Sequence, residues 1–506
     1  METGQWPDLW KVEWTTIIGK ISEPEDKGDL RNLSLTLFVS KLCENLVYDL
    51  LLSHWGHKID STQYGGRPGY SVTMYLIKLV DFILSNLDKS KAVLLCLIDF
   101  SKAYNRQSHN RLLTCYSDLG TPSYLLKVLQ SYLQNRKMKV RYKGEVSQTY
   151  DLPGSGPQGT NIGILNFIVY VNSCGVPLDE MLDCLTHEHK EQYIGRPTLE
   201  KEMSPNQDLG WVKVCHPILP TPNSHINDKE ARFKYVDDKV LAEAIDLSQL
   251  KSNNPDLELP ANYKDRTGHY LDNESSILQK RIKEVGHFCH IQQMMVNSLK
   301  SKTALFNTST KKDFYPRMTN NEEKHFDNTE EFKLLGVNIV THPRKGIDWI
   351  PYIQKCIQKG FANLWILKRL VELGVCLEDT LMTYCQRIRV HVEQNVPLWS
   401  FSISKTLSNK IEKLQKSAVF IMLPLLGRTT QSNYKLNIET MGLELLEKRR
   451  LQLSKKFAKT TFEHPEHRKM FTLNNNRTTR HCRKVIVPLA KTKRYDNSAI
   501  PFQNYK

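Results

Sequence analysis

The 506-residue chain has no long apolar run. Its longest, Ala92 to Ile98 and Ile162 to Val171, fall well short of the roughly 20 residues a helix needs to span a bilayer, so the expectation is a soluble protein with no membrane segment. Acid is in short supply as well: 54 Asp and Glu stand against 70 Lys and Arg, a net charge of +16. That imbalance disfavours a small neutral partner and favours a polyanion, nucleic acid first. The opening METGQWPDLW lacks a basic stretch followed by an apolar one, so no secretory signal is visible. An intracellular location, nucleus and cytoplasm, is expected, with the eleven cysteines as free thiols. A zinc-finger spacing is missing too. Cys184, His187, His189, Cys215 and His216 sit close together but match no finger pattern, and read as a polar surface loop. No internal repeat or low-complexity stretch is visible.

What is there is uneven in texture. Closely spaced apolar segments run to about Cys174, a polar insertion rich in Pro, Asn, His and Glu covers 175–230, and a second polar stretch covers 250–272. Beyond Asp348 the pattern turns helical, and after about Leu473 it becomes a basic, Asn- and Thr-rich tail carrying Arg477, Arg480, Arg483, Lys484, Lys491, Lys493 and Arg494. A chain of this length exceeds what one core usually supports, so several subdomains are expected.

Ala92 to Phe100 (AVLLCLIDF) is a continuous apolar run that ends in a carboxylate, the pattern of a strand buried on both faces with Asp99 at its mouth. Ser108 can cap a helix carrying Leu112, Leu113 and Tyr116, stopped by Gly120 and Pro122. Lys137 to Lys143 alternates strictly, giving a strand with one basic face. In KYVDDKVLAEA, Lys234 to Ala244, two adjacent aspartates between apolar runs predict a tight hairpin. If this hairpin neighbours the first strand, Asp99 and Asp237 converge at one end of a sheet. Convergent carboxylates repel unless a divalent cation lies between them, and magnesium, an oxygen-seeking ion that keeps exchangeable waters, suits phosphate chemistry. Between the acids, LPGSGPQGT (Leu152 to Thr160) is a glycine-rich turn opening a helix, with Gln158 held on the turn.

In order, DFSKAYNR (Asp99 to Arg106), GPQGT (Gly156 to Thr160) and YVDD (Tyr235 to Asp238) resemble motifs A, B and C of reverse transcriptases. DLRNLSLT (Asp29 to Thr36) and QYGGRPGYS (Gln63 to Ser71) resemble upstream segments of the non-LTR, LINE-like retrotransposon enzymes. MMVNSLKSKTALFN (Met294 to Asn307) looks like motif D, and FKLLGVNI (Phe332 to Ile339) looks like the primer-grip hairpin. IEKLQKSAVFIML and LNIETMGLELLEKRR, after Ile411, resemble the region beyond the thumb.

The resemblance implies an α+β right-hand polymerase: fingers and an N-terminal segment over 1–91, a palm with part of the fingers over 92–345, a helical thumb over 346–425, and a C-terminal helical segment with the basic tail over 426–506. The implied reaction is RNA-directed DNA synthesis on an RNA template and a DNA primer, using deoxynucleotide triphosphates and two Mg2+ ions, for which Mn2+ could substitute. Carried over by position, Asp99, Asp237 and the backbone carbonyl of Phe100 would meet metal, with Asp238 completing the dyad. Tyr104 would exclude a 2′-hydroxyl. Gln158 and Gly159 would contact the nucleotide, Lys20 and Arg31 its phosphates, and Lys300 or Lys302 would protonate pyrophosphate. Leu334, Leu335 and Gly336 would form the primer grip.

Three departures favour a competing reading, an inactive, degenerate or domesticated retroelement protein that only binds nucleic acid. Lys239 follows the dyad and could compete with magnesium for Asp238, and Asn161 and Asn166 interrupt an otherwise apolar helix. There is no room ahead of Lys20 for the endonuclease such elements usually encode upstream, so a fragment or a separate polymerase unit is the expectation. An RNA-making polymerase is disfavoured by the bulk of Tyr104. A single helix from Ile353 to Val371 is expected in the thumb, with Ile353, Ile357, Phe361, Leu364 and Val371 on its apolar face and Lys355, Lys359 and Arg369 opposite.

Overall fold

In the computed structural model the described residues are 4–19, 23–26, 30–175, 228–249, 251–252, 269–270, 276–308, 318–322, 324–427, 433–464, 467–470 and 490–500. The cysteine and histidine group of the polar insertion, Lys20, and Arg477 to Lys484 of the tail lie outside them.

Two sheets organise the first two-thirds. The first joins β1 (Val12–Gly19), β2 (Leu30–Leu35), β4 (Lys137–Tyr142), β5 (Glu145–Val146) and β6 (Tyr150–Asp151). Here β1 pairs antiparallel with β2 and parallel with β4. Lys139 and Arg141 pair with Trp14 and Thr16, so the basic face expected of β4 is continuous with the exposed side of β1. The second sheet takes β3 (Ala92–Ile98) into its centre, flanked by β8 (Asp238–Ile245) and then β7 (Glu230–Tyr235) on one side and by β11 (Lys302–Phe306) and β12 (Asp327–Asn328) on the other. The two short strands β9 (Lys251–Ser252) and β10 (His269–Tyr270) pair with each other.

The central strand is apolar on both faces because both faces are covered. Val93 and Leu95 join a core with α2 (Val72–Asp88) and the C-terminal helices, whereas Ala92, Leu94, Cys96 and Ile98 join a second core. The second core holds side chains of α1 (Phe38–Trp55), α3 (His109–Asp118), α4 (Ser123–Leu133), α5 (Asn161–Tyr170) and α6 (Ile277–Ile291). Ser108 stands at the N-cap of α3 as expected, though its side chain makes no capping bond, and Gly120 at φ 77° ends that helix.

A three-stranded sheet follows, β13 (Glu331–Leu334), β14 (Val337–His342) and β15 (Gly346–Asp348), and beyond it the chain is helical. The single helix expected from Ile353 to Val371 is two, α7 (Ile350–Ala362) and α8 (Leu364–Glu372), broken at Asn363. Of the expected apolar face, Ile353, Ile357 and Leu364 are in the core, Val371 is half-buried and Phe361 is exposed, while Lys355, Lys359 and Arg369 are exposed as expected. A π-helical turn at Tyr384–Arg389 interrupts the next helical stretch, and α9 (Lys405–Met422) and α10 (Leu446–Glu463) close the bundle.

The final described segment is not a free tail. Lys491 and Thr492 donate backbone hydrogen bonds to the carboxylate of Asp88, each at 2.8 Å. Tyr495, Ala499 and Ile500 are buried in the first core, and the guanidinium of Arg494 donates to the carbonyls of Arg344 and Leu87. No helix among the described residues is long and apolar enough to cross a membrane. The eight cysteines among them are free thiols.

Candidate active site

The buried strand β3 delivers Asp99 to the end of the second sheet, and the segment ahead of β11 fixes it there. The Asp99 N–H donates to the Ser301 hydroxyl at 3.1 Å and its carbonyl accepts from the Asn297 N–H at 2.8 Å. Ile98 pairs with Lys239, so Asp99 and Asp238 come next, opposite one another at the sheet's mouth. Alternation puts both on the face that Leu95, Leu97 and Val240 share. Tyr235 pairs with Asp238, which leaves Val236 and Asp237 as the two-residue tip of the β7–β8 hairpin. The expected convergence of the acids is thus a matter of register.

Their electrostatics agree. Burial and then the neighbouring charges of Asp237 and Asp99 push the Asp238 carboxyl up to about 6. Asp237 reaches solvent at the tip, yet desolvation by the surrounding protein raises its pKa, with Arg31 of β2 pulling the other way. The charge of Arg31 is thus felt at the hairpin tip. Among the described residues no three acids, histidines or cysteines are drawn into one closed metal-binding cluster. The chemistry of the donors nonetheless suits a hard divalent cation, since a positive ion would offset the charges of Asp237 and Asp99 that raise the Asp238 pKa.

Tyr104 is half-buried and stacks on Phe167 of α5, with ring centroids 4.8 Å apart. Its phenol pKa is raised, first by burial and then by the charge of Asp237. The glycine-rich turn is tied to the same segment, since the Gly156 N–H donates to the Tyr104 carbonyl at 3.1 Å and the Ser155 N–H to the Gln107 carbonyl at 2.9 Å. Gln158 is anchored to the first sheet in both directions: its carbonyl accepts from the Ser34 N–H at 3.0 Å, and its N–H donates to the Ser34 hydroxyl at 3.3 Å. Gly159 sits at φ 109°, a backbone region L side chains rarely adopt.

A cavity of about 460 Å³ opens beside the acids, lined among others by Asp99, Asp238, Lys300, Lys302, Lys333 and Leu334. Lys302 lies on the acid-bearing face of β11 and Lys300 is exposed in the preceding turn, so both expected lysines border the same space. Across it stands the β13–β14 hairpin. Leu335 and Gly336, at φ 48° and 84°, form its tip, and Leu334 is buried beneath. Phe100 buries its side chain in the second core, and its backbone bridges to Val296.

The three departures take ordinary structural places. The Lys239 ammonium points to the opposite face of the sheet from Asp238 and donates to the Cys174 carbonyl, so it does not compete for the acids. Asn166 is buried but accepts from the Tyr116 hydroxyl at 2.6 Å, and Asn161 donates to Asn45 at the surface. Four residues that sequence reasoning missed hold the site from behind. Asp60 and Lys234 form an ion pair at 2.6 Å with both side chains buried, Gln63 accepts from the hairpin tip, and Ser34 clamps Gln158. The QYGG and DLRNLSLT segments contained Gln63 and Ser34, but nothing in their spacing revealed what they touch.

No protein-family model matches the chain. Curated relatives do. A probable RNA-directed DNA polymerase from transposon BS of Drosophila melanogaster is 28% identical over 174 residues, 34% of this chain and 19% of that protein. A second, from transposon X-element of the same organism, is 27% identical over 175 residues, again 34% and 19%. The chain thus matches about a fifth of the length of these relatives. Among solved structures, telomerase from Candida albicans, with a fragment of telomeric RNA, aligns over 92% of this chain and 65% of its own at 10% identity and a TM-score of 0.39. This chain is a homologue, over a third of its length, of the RNA-directed DNA polymerases of Drosophila non-LTR transposons.

Proposed function

We propose that the chain is a reverse transcriptase that extends a DNA primer on an RNA template, with the Asp99, Asp237 and Asp238 carboxylates holding divalent metal. The observation that carries this reading is the cross-strand placement of Asp99 and Asp238 with Asp237 at the adjoining tip, where burial and the charges of Asp237 and Asp99 raise the Asp238 pKa. Bound there, two magnesium ions would activate the primer hydroxyl and neutralise the triphosphate. The chain's own groups do the rest. Arg31 supplies positive charge on the fingers side for the nucleotide's phosphates, and Lys300 and Lys302 supply it beside the cavity, where a proton for the departing pyrophosphate is needed. The Tyr104 ring, held flat by Phe167, walls the side where a ribose 2′-hydroxyl would lie. Gln158 and Gly159, fixed by Ser34, present their turn to the nucleotide, and the tip at Leu335 and Gly336 faces the primer end.

The test is primer extension on RNA with Mg2+ or Mn2+. Wild type should extend, and Asp99→Asn and Asp237→Asn should each lower the rate by at least roughly a thousandfold while leaving folding intact. Extension that survives either substitution overturns the reading. A wild type that binds primer and template but never extends them leaves only the nucleic-acid-binding alternative.

A further inference from the structure

The tip of the β7–β8 hairpin is in a conformation its sequence does not favour. Val236 sits at φ 57°, and Asp237 is not among the residues with positive φ. A two-residue hairpin loop with positive φ at its first central place is ordinarily served by glycine. A β-branched residue there is an outlier that persists only when its surroundings over-determine it. Those surroundings are residues 60–65. The Tyr64 N–H donates to the Lys234 carbonyl at 2.8 Å, and the Lys234 N–H donates to the Thr62 carbonyl at 2.9 Å, a parallel bridge along the outer edge of β7. The Gln63 side chain, 1% exposed, then turns back onto the tip. Its amide oxygen accepts from the Val236 N–H at 3.0 Å and from the Gly65 N–H at 3.1 Å. Gly65 lets the two backbones close, since a Cβ there would come within 2.7 Å of the Val236 nitrogen.

We propose that Gln63 is a positioning residue for the acid dyad, its amide oxygen holding Val236 in the left-handed conformation that aims Asp237 at the site shared with Asp99. This rests on the polymerase reading of that site. Gln63 touches no substrate in this account. It acts through one backbone N–H, and removing the acceptor lets the tip relax and carries the Asp237 carboxylate away from its partners.

The experiment uses the full chain and reads the hairpin directly, by hydrogen exchange of the 233–240 backbone together with Mn2+ affinity. Gln63→Met keeps the length and removes the acceptor. Exchange at 235–238 should quicken by about tenfold or more, and Mn2+ affinity should fall by about tenfold, the scale seen when a group that orients metal ligands is lost. Gln63→Glu keeps an oxygen acceptor and should preserve the hairpin's protection, so the test survives if Gln63→Met does not fold. In a Val236→Gly background, where positive φ costs nothing, Gln63→Met should lose much less than it does alone, a non-additivity that general destabilisation would not produce. Unchanged exchange at 235–238 in Gln63→Met, loss of protection in Gln63→Glu, or strictly additive effects with Val236→Gly each overturn the proposal. Failure of the polymerase reading would register separately, as Mn2+ binding indifferent to Asp99→Asn and Asp237→Asn while the exchange result stands.

Discussion

At the scale of single residues, the site depends on charges far from water. Beneath the acid-bearing face lie Arg232, Lys234 and Lys239, all buried, donating to the carbonyls of Gly175, Asn172 and Cys174 respectively. The carboxylate paired with Lys234 is Asp60, whose own pKa burial would raise but Lys234, and after it Arg232, hold well below the usual range. Burial pushes Lys234 down to about 8, with Asp60 working against that fall. Asp60→Asn should therefore destabilise the protein by about 3–5 kcal/mol at pH 7, the cost of leaving a buried charge uncompensated. An unfolded lysine keeps its proton to near 10.5, so between about 8 and 10.5 the unfolded chain binds more protons and stability rises with pH. Without Asp60 this window opens lower, and urea denaturation should find the gap between wild type and variant narrower at pH 9.5 than at pH 7. An equal gap would mean Lys234 is not the group left exposed to the loss. Asp99 could be read from the chain because an apolar run ending in a carboxylate is a local pattern. Asp60 could not, since its partner is 174 positions away and a lone acid near a loop carries no local mark.

At the scale of elements, the sequence read best where periodicity and turn chemistry act over a few residues. The β7–β8 hairpin, the buried β3 and the basic face of β4 all follow from short patterns, and each is present. The break between α7 and α8 was not legible because the apolar spacing runs through Asn363 without interruption. The break comes with the Asn363 side chain's bonds to the Arg387 carbonyl and His391, which are tertiary contacts. The β13–β14 hairpin shows the same division. Its sequence marks a turn at Leu335-Gly336, but only the fold places that turn across the cavity from Asp99. With both tip residues at positive φ and open space around the Gly336 Cβ position, Gly336→Ala meets strain but no clash. It should cost about 1 kcal/mol in thermal or urea unfolding, and if the tip meets the primer end it should raise the KM for primer more than the KM for nucleotide. No change in stability would show that the tip relaxes freely and is a poor clamp.

At the scale of the whole molecule, α2 is held by residues about 400 positions further along the chain. Asp88, at the end of α2, accepts from two backbone N–H groups and from the hydroxyl of Thr492, and Tyr495 donates to Asp81 on the same helix. The charge pattern of the last residues marks a basic tail, and within it Arg494 donates to the carbonyls of Arg344 and Leu87. Composition shows how many charges a segment carries, not which of them a fold uses up. Ending the chain after residue 489 should lower stability by at least about 3 kcal/mol, from the lost burial of Tyr495 and Ile500 and the stranded Asp88, and calorimetry would show it as a lower Tm. An unchanged Tm would mean α2 holds its place unaided. The same contact sets a clock on biosynthesis. Asp88 and Thr492 are 404 positions apart, so a ribosome adding roughly 5–20 residues per second leaves α2 waiting for its last partners for on the order of a minute. Throughout that interval Asp88 lacks the backbone donors of Lys491 and Thr492, and the core beneath α2 lacks Tyr495 and Ile500.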